Sequence, residues 1–490
     1  MKPLTLVVQY VPGPLFEKAV SALGASDLVE ALVVVGGEAR QGMAGARLIP
    51  AESLLAGRTL GRLMENIRTP YLLLVPGVMP QSVEAGTLGR LVEVAASTGS
   101  GLVYPDYDEA GGGQTGSLHP LVDYQPGSVR DDFDFGAMML FSVSAVRDAQ
   151  KRHGAVPDVE FAGLYDLRLK VSIDHGVLHL PESLYTMPPA SDDAAGGGRL
   201  FAYLDPRNEA VQREMEQVFT DYLKKIGAYV PGHRLRGFES PQTGFPVEAS
   251  VIIPVRNRKG TVADAVQSAL AQETDFPFNV IAVDNHSTDG TTEVLRAIAS
   301  RTGALEHIIP ERRDLAIGGC WNEALNSRRC GRYAVQLDSD DLYSGAHVLT
   351  RIVDKLRQGY AMVIGSYTLV DFTLVERPPG LIDHREWTDL NGHNNALRIN
   401  GLGAPRAFST ALMREAGFLD VSYGEDYAAS LRVCREYRIG RIYESLYLCR
   451  RWAGNTDAAL DIEPANRNNA FKDRIRTDEI RARRRMMGEG

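Results

Sequence analysis

The stretch Tyr333-Ala-Val-Gln-Leu-Asp338-Ser-Asp340-Asp341 is an apolar run that ends in three carboxylates within four residues. Residues two apart in an extended chain face the same way, so Asp338 and Asp340 converge beyond the carboxyl end of a strand. Carboxylates that close repel one another, and a hard divalent cation carrying phosphate oxygens is their natural counter-charge. A solvated acidic turn after a buried strand fits the same letters. The rest of the chain has to separate the two readings.

Upstream, Ala249–Pro254, Asn279–Val283 and His307–Ile309 read as continuous apolar strands, with amphipathic helices expected between them over Val262–Gln272 and Thr291–Thr302. Strands alternating with helices imply a mostly parallel sheet covered on both faces. Ligands bind such sheets beyond the carboxyl ends of the strands, where Asp284 and Asp338 would both lie. With 490 residues, two domains of roughly 200 to 250 residues are expected. The turn-rich segment Gly237–Pro246 carries no apolar period and reads as the linker.

The first half repeats the second. Tyr71-Leu-Leu-Leu-Val-Pro76-Gly-Val78-Met shares the apolar pattern of the run at Tyr333, and Glu182-Ser-Leu-Tyr185 matches Glu444-Ser-Leu-Tyr447. Both pairs are 262 residues apart, which points to an internal duplication. Under that alignment Asp338 and Asp340 fall on Pro76 and Val78, and Asp426 falls on Leu164. The first copy therefore keeps the strands and lacks the acids. Its Tyr104-Pro-Asp106-Tyr-Asp108-Glu109 is acidic, but with Gly111-Gly-Gly113 following it reads as a solvated loop.

In the second half, Val251-Ile-Ile-Pro-Val-Arg-Asn257 is followed by Val283-Asp284-Asn285-His-Ser-Thr-Asp289-Gly290. Then come Gly318-Gly-Cys-Trp-Asn322, the Asp338 cluster and Gly424-Glu425-Asp426-Tyr427. This succession, over roughly residues 247 to 456, resembles glycosyltransferase family 2, the inverting enzymes with the GT-A nucleotide-sugar fold. The resemblance implies an α/β chain of two GT-A-like domains in tandem. A degenerate accessory domain would occupy residues 1–236, a linker 237–246, a catalytic domain 247–458 and a helical tail 459–490.

The resemblance also implies roles. Asp338 and Asp340 become a DxD pair for Mn2+ or Mg2+, with Asp340 the direct ligand and Asp338 nearer the ribose or metal shell. Asp426 becomes the general base and Glu425 its orienting neighbour, although acidic residues also favour a first helical turn for its own sake. Pro254, Asn257, Asp284 and Asn285 would shape and read the nucleoside. The family usually has Asp where Asn285 stands, but an Asn carbonyl still accepts from uracil N3–H. A UDP-sugar is thus the favoured donor, with GDP- and dTDP-sugars open. Asn322 would sit near the base or sugar, with Trp321 in place of the family's Arg. Tyr447-Leu-Cys-Arg450-Arg451-Trp452-Ala-Gly-Asn455-Thr456 lacks the family's His, so Arg450 or Arg451 would bring positive charge to the diphosphate.

The chemistry expected is single displacement with inversion. Hexose or N-acetylhexosamine moves to a hydroxyl of a glycan or lipid-linked acceptor in surface polysaccharide synthesis. Acceptors would dock around residues 371–406, where Trp387 is as able to stack on a sugar as to pack, while His384 and His393 read as structural. A non-catalytic glycan- or nucleotide-binding scaffold and a nucleotidyltransferase are the rivals. A net charge of −9 argues against a nucleic-acid partner. Leu4–Val8 is too short for a signal core and no run approaches eighteen apolar residues, so a cytoplasmic protein is expected. Cys320, Cys330, Cys434 and Cys449 show no metal spacing and read as reduced thiols. The tail Ile462–Met487 is helical in pattern and ends in Arg481-Ala-Arg-Arg-Arg485. It is expected to pack back on the catalytic domain, with contact to an anionic membrane the alternative. The first half could serve as a dimer surface or an acceptor platform.

Overall fold

The computed structural model describes residues 2–36, 45–51, 53–111, 116–189, 208–385, 387–452, 455 and 460–488. Of the stretches named above, Gly112, Gly113, Ala453, Gly454 and Thr456 lie outside the described residues. Two compact units divide the chain, Met1–Tyr229 with Leu460–Gly490, and Val230–Ala459.

The strands of the first unit are β1 (Leu4–Gln9), β2 (Val29–Val35), β3 (Ala46–Ile49), β4 (Tyr71–Val75), β5 (Ser82–Val83), β6 (Leu102–Glu109), β7 (Ser117–His119), β8 (Met139–Ser142) and β9 (Val177–Met187). Those of the second are β10 (Ala249–Val255), β11 (Phe278–Asp284), β12 (Leu305–Ile308), β13 (Tyr333–Gln336), β14 (Leu342–Tyr343), β15 (Met362–Val370), β16 (Glu376–Ile382), β17 (Arg406–Ser409) and β18 (Ile439–Arg450). The sheet orders are β3-β2-β1-β4-β8-β6-β9-β5 and β12-β11-β10-β13-β17-β15-β18-β14, with β7 on β6 and β16 on β15. Adding nine to each strand number of the first order reproduces the second. The repeat inferred from two short matches is therefore a repeat of the whole topology, and β9 and β18 begin at the same 262-residue offset.

Only half of each sheet is parallel. β12-β11-β10-β13 run the same way, but β17 pairs antiparallel with both β13 and β15. The strands alternate their side chains between two buried faces, as continuous apolar runs require. Leu72 and Leu74 of β4 pack with Leu60, Leu63 and Phe141, whereas Leu73 and Val75 pack with Phe16, Val20 and Leu91. In the second unit Val251, Ile253, Val335 and Leu337 join Val262, Val266, Leu349 and Ile352 in one core.

Two boundaries differ from the sequence expectation. Residues 237–246 belong to the second unit, which starts at Val230. Their turn formers lie along its surface, where Phe238 N–H donates to the Gly359 carbonyl at 2.9 Å and Ser240, nearly buried, meets the Ser409 hydroxyl at 2.9 Å. The helix Ile462–Met487 forms as expected, but it packs on the first unit. Gly127 makes room, since a Cβ there would lie 1.9 Å from the Asp473 carbonyl oxygen. Thr477 Oγ1 then accepts from Gly127 N–H at 2.8 Å, and Ser128 Oγ donates to Asp473 at 2.9 Å. Arg483 of the basic run is buried against Glu479, so the run does not present one continuous basic face.

The four cysteines are free thiols, and among the described residues no helix is long and apolar enough to cross a membrane. Asp473 is fully buried between Arg476 at 2.8 Å and Arg130 at 3.5 Å. Breaking such a buried pair costs about 3–5 kcal/mol. Asp473→Ala should lower the urea midpoint of the full chain accordingly, and a midpoint equal to the parent's would show that the tail does not anchor the first unit.

Candidate functional site

β10 and β11 end in register at Val255 and Asp284, and β13 lies on the other flank of β10 with Gln336 opposite Ile252. The loops after these strands form one rim, and the acidic turn sits on it. Its backbone is held by Tyr447 of β18, whose hydroxyl accepts the Asp338 N–H at 2.9 Å. The corresponding Tyr185 of the first unit accepts from Ala137 N–H at 2.7 Å instead. Pro76 occupies the matching position there and has no N–H to offer.

The three carboxylates do not act alike. Asp341 turns inward and accepts the Arg450 N–H at 2.7 Å. Its carboxyl is pushed well above the usual range, by burial and then by Asp338 and Asp340. Asp338 is raised as well, chiefly by burial, against hydrogen bonds from Gln336 and the positive charge of Arg406. Gln336 Nε2 lies 3.0 and 3.1 Å from the two Asp338 oxygens. Asp340 Oδ2 accepts from Trp452 Nε1 at 3.0 Å and from Asn455 Nδ2 at 3.4 Å, with Arg258 Nε 3.8 Å away.

Among the described residues no group of three His, Cys, Asp or Glu side chains could hold a metal by itself. The two carboxylates Asp338 and Asp340 nonetheless fit Mg2+ or Mn2+. Mg2+ is usually bound through one or two carboxylates, with water and substrate phosphates completing the shell.

Glu425 and Asp426 open the helix Glu425–Glu436. Asp426 is about one-third exposed, and its Oδ2 pairs with Arg406 Nη2 at 2.7 Å. Glu425 is buried, and burial followed by the Asp426 charge pushes its carboxyl up to about 8 from an ordinary 4.5. The Arg406 guanidinium feels Asp426, Asp338 and Glu425 together. Acids from two distant stretches thus share one cation, which is where the acidic turn and the Glu-Asp pair come together.

The helix Ile317–Asn326 sets the approach to that pair. A Cβ on Gly318 would lie 1.7 Å from the Leu419 carbonyl oxygen, and one on Gly319 would lie 2.3 Å from Asp420 Oδ1. Asn322 Nδ2 donates to the Phe418 carbonyl at 2.9 Å, while its Oδ1 accepts Phe418 N–H at 2.9 Å. The Asn322 amide thus ties this helix to the loop before Glu425. Trp321 stacks on Phe418 with ring centroids 5.1 Å apart.

Asp284, at the end of β11, is fully buried. Ser287 N–H reaches its Oδ1 at 3.0 Å, while Thr292 Oγ1 at 2.5 Å and His307 at 3.3 Å hold its Oδ2. Burial alone would raise this carboxyl, but those bonds outweigh it and hold the group low. Asn257, at φ 53, accepts the Thr288 N–H on its side-chain Oδ1 at 2.8 Å. Asn285 is different. Its Nδ2 donates to the Leu315 carbonyl at 2.7 Å, and its buried Oδ1 has no partner among the described residues. Pro254 is half-buried in β10 beside these loops.

Arg450 is buried, with Nη1 3.0 Å from Asp264, Nε on the Asp340 carbonyl and Nη2 without a protein partner. The Arg451 N–H donates to the Val370 carbonyl at 2.8 Å. Trp387, His384 and His393 are all buried, with His393 Nε2 2.7 Å from the Val230 carbonyl oxygen, so packing is the place the fold gives them. Arg406 and Gln336 escaped the sequence reading. Gln336 lies two residues before Asp338 and so on its face, a signal that was there to read, whereas nothing local marks Arg406.

A family model described as Glycosyl transferase family 2 matches residues 250–420. This segment of the chain belongs to glycosyltransferase family 2. The match includes Asp284, Asn322, Asp338, Asp340 and Arg406 and stops short of Glu425. Among curated proteins, the chain is 28% identical over 218 residues to the succinoglycan biosynthesis protein ExoU of Rhizobium meliloti, covering 42% of this chain and 61% of that one. It is 38% identical over 96 residues to the uncharacterized glycosyltransferase YfnE of Bacillus subtilis, covering 20% and 24%. The chain thus spans less than two thirds of either relative. Among solved structures, S. aureus TarS 1-349 in complex with UDP-GlcNAc aligns at 19% identity with a TM-score of 0.36, over 48% of this chain and 72% of that one.

Two outcomes follow. Gly318→Ala should cost well over the ~1 kcal/mol typical of point mutants, because a backbone carbonyl blocks the new methyl; an unchanged thermal midpoint would refute the close approach. The second concerns Glu425. The folded chain keeps its proton to higher pH than the unfolded chain does, so this residue costs stability as pH rises from about 4.5 to about 8. Glu425→Gln should therefore melt above the parent by a margin that widens across that range, and a constant margin would count against the shift.

Proposed function

We propose that the second unit is a metal-dependent inverting glycosyltransferase acting on a nucleoside-diphosphate sugar, with a UDP-sugar as the favoured donor. One observation carries this. Asp338 after β13 and the Glu425-Asp426 pair at a helix start meet around Arg406, in a unit whose residues 250–420 match the family 2 model. The arrangement supplies a cation site and a separate base, the two things single displacement needs.

In this reading Asp338 and Asp340 hold Mn2+ or Mg2+, which when bound offsets the charge developing on the departing diphosphate. Asp426 has its carboxylate partly exposed, and takes the acceptor hydroxyl proton as that oxygen attacks the anomeric carbon. The bond from anomeric carbon to phosphate oxygen breaks, and nucleoside diphosphate leaves. Glu425, carrying its proton at neutral pH, leaves the negative charge to Asp426. Asn285 Oδ1 is a buried acceptor without a partner, a state that costs free energy until a donor arrives. Uracil N3–H is such a donor, and the N–H edges of thymine and guanine are the alternatives. Arg450 Nη2 and the Arg451 side chain are the groups assigned to the diphosphate.

The 28% identical relative, a succinoglycan biosynthesis protein, supports a hydroxyl of a glycan or lipid-linked acceptor in surface polysaccharide synthesis. For the first unit a non-catalytic reading is better supported. Pro76 and Val78 stand where the acids should be, and Leu164 is buried where Asp426 should open to solvent.

Asp426→Asn should fold normally yet lose roughly 10²- to 10⁴-fold in turnover, the usual worth of a general base. Turnover near the parent's would remove Asp426 from that role. Asp340→Ala should abolish Mn2+ binding. A panel of nucleotide sugars, read by thermal stabilisation of the full chain, should show a UDP-sugar shifting the midpoint most.

A further inference from the structure

Resting on that reading of the site, we propose that Gln336 and Arg406 are positioning residues that tie the carboxylate assigned to the cation to the carboxylate assigned to the base, so that charge arriving at one is felt at the other. The path is continuous within the second unit. Gln336 Nε2 donates to both oxygens of Asp338, and Gln336 Oε1 accepts the Arg406 backbone N–H at 3.1 Å. The Arg406 guanidinium then pairs with Asp426 Oδ2 at 2.7 Å. Each member is held from behind. The Tyr343 hydroxyl donates to the Gln336 carbonyl at 3.0 Å, and Arg406 Nη1 donates to the Gly403 carbonyl at 2.8 Å. Gln336 is buried and Arg406 nearly so, with a side chain 14% exposed.

The physical consequence comes from one guanidinium serving two anionic places. Arg406 faces Asp426, Asp338 and Glu425 at once, while Asp426 is faced by Arg406 and Glu425. Its positive charge opposes a divalent cation at Asp338 and pairs with the Asp426 carboxylate. Neutralising Asp426 leaves more of that charge directed at Asp338, and cation binding at Asp338 leaves more of it for Asp426. Such coupling is reciprocal. The Gln336 bridge has the opposite sense, because it holds the Asp338 carboxylate in one orientation for its ligand.

The test uses the full-length chain and Mn2+ alone, with free Mn2+ followed by electron paramagnetic resonance and folding followed by thermal melts. Arg406→Gln should bind Mn2+ about fivefold more tightly than the parent, and Gln336→Leu should bind it more weakly. Asp426→Asn should weaken binding about threefold, and most of that loss should vanish when Arg406→Gln is added, as a double-mutant cycle records. A purely structural role would weaken Mn2+ in every variant and could not produce opposite signs. Asp426→Asn changes a partly exposed side chain, so it carries the test even if Arg406→Gln unfolds. A parent that binds Mn2+ while Asp426→Asn leaves its affinity unaltered, or Arg406→Gln binds no more tightly, overturns the relay alone. A parent that takes up no Mn2+ overturns the reading of the site and the relay with it.

Discussion

Repulsion among carboxylates at the ends of neighbouring strands is the constraint to which the second unit answers. Asp338, Asp340 and Asp341 leave β13 within one turn, and Glu425 and Asp426 approach from a helix start. Unrelieved, that much negative charge in a half-buried place would destabilise the fold. The protein relieves it in three ways: Asp341 is turned inward onto the Arg450 backbone, Glu425 keeps its proton, and Arg406 stands between Asp338 and Asp426. What remains is a pair of carboxylates with room for one more positive charge, and a third carboxylate open to solvent. A cation site and a base fit that remainder.

The first unit shows the same framework without the problem. Its strands repeat the order of the second, and its Tyr185 repeats the placing of Tyr447. Where the turn reads Pro76-Gly-Val78 there is no repulsion to manage, and Tyr185 secures Ala137 instead of the turn. The strand end is stable with or without acids. Their presence in the second unit is therefore not a requirement of folding.

Positioning in the second unit depends on missing atoms as much as on side chains. Gly318 and Gly319 let the helix Ile317–Asn326 lie directly on the chain at Leu419 and Asp420, and Asn322 then clamps Phe418. That contact fixes where the helix at Glu425 begins. Asn322 thereby holds the loop that leads to the Glu-Asp pair.

Much of this was legible in the letters. Apolar runs at Val251, Val280 and Tyr333, separated by helical periods, determine an α/β sheet, because a strand buried on both faces has no polar alternation. The shared 262-residue offset determines a repeat, and the succession of short motifs points to family 2. Tertiary structure alone decided which acids remain exposed. Asp284 is held by Ser287, Thr292 and His307, whereas its neighbour Asn285 has a buried Oδ1 with no partner among the described residues. The tail's return to the first unit was equally hidden, since a polar helix carries no record of which surface will satisfy Asp473. Arg406 is the clearest case. It lies 68 residues from Asp338 and 20 from Asp426 in sequence, and only the antiparallel pairing of β17 with β13 brings its charge between them. Local patterns record which face a residue takes within its own element. Which distant charges meet is decided by strand order, and strand order is a property of the folded chain.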